Sequence, residues 1–183
     1  GEFRHPHGVA ADRAGNVIVA DTGNDRLHVL QYENDALHHR RFIEGSFNGR
    51  RLRGPTGVAL EAGEIYVCDP GESRILVLDL EGRLQRELRP ERQGRALLQE
   101  PFGIAVIRAD ESMNFFGEDF IVVTDSMLSR VWKLDQRGEP FAVQRIRDLS
   151  PGGGEFYYPA IDYYANIYCS DRSGRLHKFD RNL

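Results

Sequence analysis

The sequence predicts an all-β protein: a β-propeller of four-stranded antiparallel meander blades, forming an open arc of about four blades. Three observations predict it. One block recurs four times, short apolar runs with the alternation of strands follow each block, and no stretch carries the 3.6-residue period of a long helix. Gly8 to Asp21 reads GVAADRAGNVIVAD and Tyr158 to Asp171 reads YPAIDYYANIYCSD, sharing the alanine, Asp12 with Asp162, Asn16 with Asn166, and Asp21 with Asp171. The middle copies are GVALEAGEIYVCD, ending at Asp69, and GIAVIRADESMNFFGEDFIVVTD, ending at Asp125. The intervals between these aspartates are 48, 56 and 46 residues, the length of a four-stranded propeller blade.

Within each copy the elements follow in the same order. Strand a (GVA in the first copy) and strand b (VIVAD) end at the repeated aspartate. An arginine follows, pairing in sequence Asp21 with Arg26, Asp69 with Arg74, Asp125 with Arg130, and Asp171 with Arg175. Strand c comes next, as LHVL, ILVL, VWKL and LHKF. In copies two and three an Asp then leads to Gly82 or Gly138 (DLEG, DQRG), a turn in which glycine supplies the positive φ. Strand d is expected at Leu37 to Ile43, Leu84 to Leu88 and Phe141 to Ile146. The blades are thus expected at about 5–45, 54–90, 100–148 and, incomplete, 156–183, within a single propeller segment spanning 1–183. A meander of this kind cannot bury both faces alone, so neighbouring units must stack radially, which favours a propeller over a sandwich.

The segment that carries the pattern, HPHGVAADRAGNVIVADTGNDRLHVL at 5–30, resembles the NHL repeat. Copies two and three match well, the third with an insertion. The fourth lacks the Pro-x-Gly opening shown by Pro6-His7-Gly8, Pro55-Thr56-Gly57 and Pro101-Phe102-Gly103. The resemblance implies a propeller that usually has six blades, which at this spacing needs roughly 270 to 290 residues. Copy four reaches Leu183 directly after strand c, and five residues precede Pro6, so neither end offers the missing strand d. The expectation is three complete blades and a three-stranded fourth, the remainder being absent, disordered or supplied by another chain; a closed four-bladed ring is the lesser alternative. An open arc leaves unpaired edges and an exposed flank, which in isolation should be sticky or need a partner.

Composition bounds the function classes. The 183 residues are 40% apolar and 28% charged, which fits one soluble globular domain or part of a larger one. No run approaches the roughly 18 apolar residues of a membrane-spanning helix. The chain begins with Gly1 rather than Met, so a processed form or a piece of something longer is expected, and the compartment, cytoplasmic or extracytoplasmic, stays open. A net charge of -4 argues against a surface given over to nucleic acid. Cys68 and Cys169 lie far apart in apolar runs and read as buried thiols rather than a disulfide or zinc site.

Four groups of residues are candidates for function. The Asp and Arg of the repeat are read as structural, because catalytic groups break a repeat's symmetry and these define it. The histidines do not converge: His5 and His7 flank Pro6 at the mouth of the channel, His28 and His177 share a position in strand c, and His38 and His39 belong to an outer strand. The resemblance implies zinc-binding histidines for amidating lyases, and Glu, Asp and Asn for gluconolactonase-like enzymes; GVAA, GVAL and GIAV show neither set. No catalytic residue, metal or cofactor is therefore expected. The outer strands and loops of blades one and two are rich in arginine. Arg40, Arg41, Arg50, Arg51 and Arg53 are the candidate anion site, continued by Arg83, Arg86, Arg89, Arg92 and Arg95, with only Glu44, Glu87 and Glu91 set against them.

The last group is aromatic. The insertion in blade three carries Met113, Phe115 and Phe116, and the equivalent turn of blade four carries Tyr163 and Tyr164. Turns between strands a and b emerge on one face of a propeller, so these five should be neighbours, and exposed aromatics beside Met mark interfaces. Phe156, Tyr157 and Tyr158 enter from the opposite face and are expected in the core. The resulting expectation is a non-enzymatic scaffold binding a protein partner through the aromatic face or the open flank. The alternatives are a fragment of an NHL-like lyase or hydrolase with a metal in the channel, and nucleic-acid or polyanion binding through the arginine rim.

Overall fold

A computed structural model describes residues 2–109, 114–145 and 154–183. The first sheet is β1 (Val9–Ala11), β2 (Asn16–Asp21), β3 (Arg26–Glu33) and β4 (Ala36–Ile43), paired in that order. A two-residue ribbon, β5 (Ser46–Phe47) with β6 (Arg50–Arg51), leads to the second sheet: β7 (Val58–Glu61), β8 (Glu64–Asp69), β9 (Arg74–Asp79) and β10 (Leu84–Leu88). A second ribbon, β11 (Glu91–Arg92) with β12 (Arg95–Ala96), leads to β13 (Pro101–Ile107), β14 (Phe120–Asp125), β15 (Arg130–Leu134) and β16 (Pro140–Arg145). The fourth sheet has three strands, β17 (Phe156–Ile161), β18 (Ile167–Asp171) and β19 (Leu176–Phe179). All pairings are antiparallel, and the four sheets are the blades of a β-propeller. Among the described residues no helix is long and apolar enough to cross a membrane.

Period-two alternation lets one strand serve two cores. From β8, Ile65 and Val67 pack toward the first blade, while Tyr66 and Cys68 pack toward the third. From β14, Ile121 and Val123 face the second blade, and Phe120 and Val122 face the fourth. Strands buried on both faces read as unbroken apolar runs, which is why IYVC and FIVV lack polar alternation. Three interblade cores result among the described residues, one between each successive pair of blades. The outward faces of the first and fourth blades are uncovered, leaving Val9 66% and Leu176 71% exposed.

The innermost strands pack in succession, β1 on β7, β7 on β13 and β13 on β17. Gly8 N–H donates to Thr56 O at 2.9 Å, and Thr56 Oγ1 donates to Phe102 O at 2.8 Å. Thr124 Oγ1 makes the corresponding bond to Tyr157 O. The approach is too close for a side chain: a Cβ on Gly57 would lie 2.5 Å from Phe102 O, and one on Gly8 or Gly103 closer still to Thr56 O or Tyr157 O. The Pro-x-Gly motif is thereby a spacing device, with glycine where one blade touches the carbonyl of the next.

Gly57→Ala is expected to destabilise the protein by about 1 to 3 kcal/mol, the usual cost of overpacking against rigid backbone. Urea unfolding checks this as a lower midpoint with an unchanged slope; a midpoint like that of the wild type would remove the spacing role.

Candidate functional site

The aromatic face is built from two turns. Asn114, buried in the β13–β14 connection, donates through Nδ2 to the carbonyls of Arg108 (2.8 Å) and Glu118 (2.5 Å), and its Oδ1 accepts Glu118 N–H at 3.1 Å. This clamp closes the base of the connection and turns Phe115 and Phe116 outward. In the β17–β18 turn, Asp162 Oδ1 accepts the N–H groups of Tyr164 and Asn166, both at 2.9 Å, fixing Tyr163 and Tyr164 on the same side. The turns are joined by Phe115 N–H donating to Tyr163 O at 3.0 Å.

The four rings touch. Phe115 lies 5.0 Å from Phe116, 5.6 Å from Tyr163 and 5.8 Å from Tyr164, and Tyr163 lies 5.2 Å from Tyr164, centroid to centroid. These are edge-to-face or tilted contacts, the arrangements that ring quadrupoles favour. The Arg181 guanidinium covers Phe116 at 4.1 Å, yet exposures run from 39% for Tyr163 to 59% for Phe115. Met113, placed with this group from the sequence, lies outside the described residues. The other aromatic group divides: Phe156 is in the third core and Tyr157 contacts Phe102 at 5.2 Å, but Tyr158, expected in the core, is 41% exposed.

The arginine rim is more neutralised than its sequence neighbours suggest. Glu33 pairs Arg40 at 3.1 Å, Glu72 pairs Arg50 at 3.0 Å, and Glu64 takes Arg86 through two bonds of 2.8 and 2.9 Å. Glu33, Glu64 and Glu72 come from other strands and turns, so the count of only three opposing carboxylates is corrected by sheet pairing. The guanidinia of Arg41 and Arg51 form no ion pair with a side chain among the described residues, while Arg53 acts electrostatically on Glu72. Arg51 and Arg53 border a cavity of about 680 Å³ that Asp25 and Glu44 also line.

The repeated Asp is a clasp whose arginine partner varies. Asp21 accepts Arg4 N–H at 2.7 Å and Arg26 Nε at 2.8 Å; Asp69 accepts Arg53 N–H at 2.9 Å and Arg74 Nε at 2.7 Å. Arg74, wholly buried, also donates to the carbonyls of Phe47 and Arg50, tying the first ribbon to the second blade. The pairing stops there. Asp125 accepts Gln99 and Leu128 N–H, while Arg130 lies 5.6 Å over Trp132. Asp171 accepts Arg175 N–H, and His177 Nε2 takes its other oxygen at 2.8 Å. In blade four the shorter spacing leaves Arg175 exposed, and the imidazole two residues on fills its place.

Burial works to raise the pKa of Asp21, but the donors from Arg4, Asn24 and Arg26 outweigh it and hold the carboxyl below the ordinary range. Asp171 behaves alike, with His177 and Ser173 as its principal donors. A polar cluster between blades two and three was not legible in the sequence: Tyr66 hydroxyl donates to Glu64 at 2.9 Å, and Arg108 lies 3.7 Å from the same carboxylate. Burial, reinforced by Glu64, pushes the Tyr66 phenol up to about 12. Both cysteines are free and buried, Cys169 being pushed up to about 12 by burial.

The innermost strands enclose a cavity of about 310 Å³ bordered by His7, Val9, Val58, Ile104, Tyr158 and Pro159. It holds one imidazole and one phenol and no carboxylate. Among the described residues no three His, Cys, Asp or Glu side chains converge as metal ligands.

Residues 3–30 match the family model of the NHL repeat, the stretch in which Gly8 and the Asp21 clasp occur. The first blade of this β-propeller thus carries an NHL repeat. Over 141 residues the chain is 27% identical to Protein brain tumor of Drosophila melanogaster, covering 75% of the chain and 12% of that protein. Solved structures share the fold. Hydrazine synthase of Kuenenia stuttgartiensis superposes with a TM-score of 0.62 at 12% identity, over 97% of this chain and 49% of that one. Glutaminyl cyclase of Myxococcus xanthus gives 0.63 at 13%, over 96% and 74%; the WD40 propeller domain of Doa1 gives 0.59 at 13%, over 92% and 47%.

Arg74→Met is expected to cost about 3 to 5 kcal/mol, because it strands the buried Asp69 carboxylate, whereas Arg130→Met should cost about 1 kcal/mol or less. Equal losses in urea unfolding would show that the two arginines do the same work. The depressed Asp171 pKa stabilises the fold fully above the unfolded value near 3.9. That stabilisation is lost as pH falls through the folded-state pKa. Asp171→Asn should therefore flatten the loss of stability with pH below about pH 4, measured by unfolding across acid buffers; an unaltered slope would contradict the clasp.

Proposed function

We propose that this NHL propeller is a non-enzymatic scaffold that binds a protein partner through Phe115, Phe116, Tyr163 and Tyr164. The observation that carries this reading is the aromatic group itself. Four rings in mutual contact are held outward by the Asn114 clamp and the Asp162 turn when burial against the blade would otherwise be favourable. Contiguous aromatic surface rimmed by a guanidinium is the composition of interface anchors.

Polyanion binding is the second reading, favoured by Arg41 and Arg51, which form no ion pair among the described residues. It predicts an affinity that falls steeply with salt, whereas contact through aromatic rings varies little.

A photoreactive amino acid at Phe116 should crosslink to a protein, and the same probe at Arg92, on an outer ribbon, should not. Phe115→Ser with Phe116→Ser should weaken that partner at least tenfold while leaving thermal unfolding within a few degrees of wild type. Retention of the partner by the double variant, with loss on Arg51→Ala and Arg53→Ala, would transfer the function to the rim.

A further inference from the structure

The two uncovered flanks repeat, position by position, faces that are packed elsewhere. On the first blade, Val9, Val17, Val19 and Leu30 stand where Val58, Ile65, Val67 and Leu78 of the second blade pack on their neighbour; the registers Val9 with Val19 and Val58 with Val67 are the same. His28, in the place of Leu76, and His39, in the place of Leu84, depart; the two imidazoles are hydrogen-bonded at 2.7 Å, with the Phe3 ring against His28. On the fourth blade, Tyr168, Ser170 and Leu176 stand where Tyr66, Cys68 and Ile75 of the second blade pack on the third. Lys178 corresponds to Lys133, which is buried in the third interface. By side chains alone, the fourth blade of one copy could therefore dock on the first blade of another and propagate a head-to-tail filament.

The innermost strand decides otherwise. Each blade that is followed by another presents glycine to the next carbonyl: Gly8 to Thr56 O, Gly57 to Phe102 O and Gly103 to Tyr157 O. In the fourth blade Phe156-Tyr157-Tyr158 replaces Pro-x-Gly, which puts Tyr158 at the glycine position, directly before the residue paired with β18, as Gly103 precedes Ile104. Any Cβ there occupies the space the next carbonyl would need. The incoming blade would have to withdraw, giving up its inner hydrogen bond and the close packing behind it.

We propose that Tyr158 is a stop, barring the fourth blade from docking on the first blade of a second copy. The first blade's free face offers His7 O, the counterpart of Thr56 O, Phe102 O and Tyr157 O, beside Val9, Val19, Leu30 and the His28–His39 pair. This inference is independent of the aromatic face.

The whole chain supplies its own probe. Sedimentation across a concentration series should find the wild type monomeric. Tyr158→Gly, which gives the fourth blade the missing glycine, should self-associate at concentrations at least tenfold below any wild-type association. Adding Val19→Glu, a charge on the receiving face, should return it to monomer. Tyr158→Ala keeps the Cβ and should stay monomeric, separating backbone approach from loss of bulk. The proposal is overturned if Tyr158→Gly associates no more than wild type, if Tyr158→Ala associates equally, or if Val19→Glu fails to reverse the assembly. Whether or not the variants fold, wild-type association dispersed by Val19→Glu also overturns it. Phe115 and Phe116 are intact in every variant, so failure here leaves the aromatic reading standing.

Discussion

The contact between a glycine of one blade and a carbonyl of the next sets the spacing on which the rest of the structure depends. With Gly8, Gly57 and Gly103 pressed against backbone oxygens, neighbouring inner strands are locked at hydrogen-bonding distance. The sheets then splay outward from that seam, and the widening wedge between them is filled by larger side chains such as Trp132, Leu88 and Leu98 in the second core. A threonine hydroxyl reinforces the seam at Thr56 and Thr124, bonding the same row of carbonyls that the glycines approach. Shape complementarity of the cores follows from this fixed spacing, since packed interiors tolerate little displacement.

The aspartate clasp works at the other end of strand b. Asp21, Asp69 and Asp125 each accept a backbone N–H from the segment that leads into their own blade, from Arg4, Arg53 and Gln99. The lead-in is thereby fastened before strand a begins, and the glycine arrives in position to meet the next carbonyl. The arginine of the repeat is a second use of the same carboxylate, made in two blades and dispensed with in the others. In the third blade an aromatic neighbour, and in the fourth a histidine, supplies contacts instead.

Function is sought where the repeat is broken. The Asn114-clamped connection, the tyrosine pair at Tyr163 and Tyr164, and Tyr158 at the glycine position are departures from the shared pattern, and none is needed to form a blade. The first two turn apolar rings toward solvent; the last makes one flank unlike the other. Part of the arginine excess is absorbed into structure, through Arg74 under the first ribbon and Arg86 against Glu64.

The sequence by itself determined the blades. A block closing on Asp21, Asp69, Asp125 and Asp171, with alternating runs after it, is local information, and strand formation and turn chemistry are set by near neighbours. It also determined that Phe115 and Phe116 would meet Tyr163 and Tyr164, because turns of one kind emerge on one face whatever the blade. Which carboxylate neutralises Arg50 or Arg86, why Tyr158 is exposed while Phe156 is buried, and why glycine follows Pro-x were decided by tertiary structure alone. Those outcomes depend on distances between chain segments twenty to fifty residues apart, fixed once adjacent blades have closed on one another, and no local pattern encodes them.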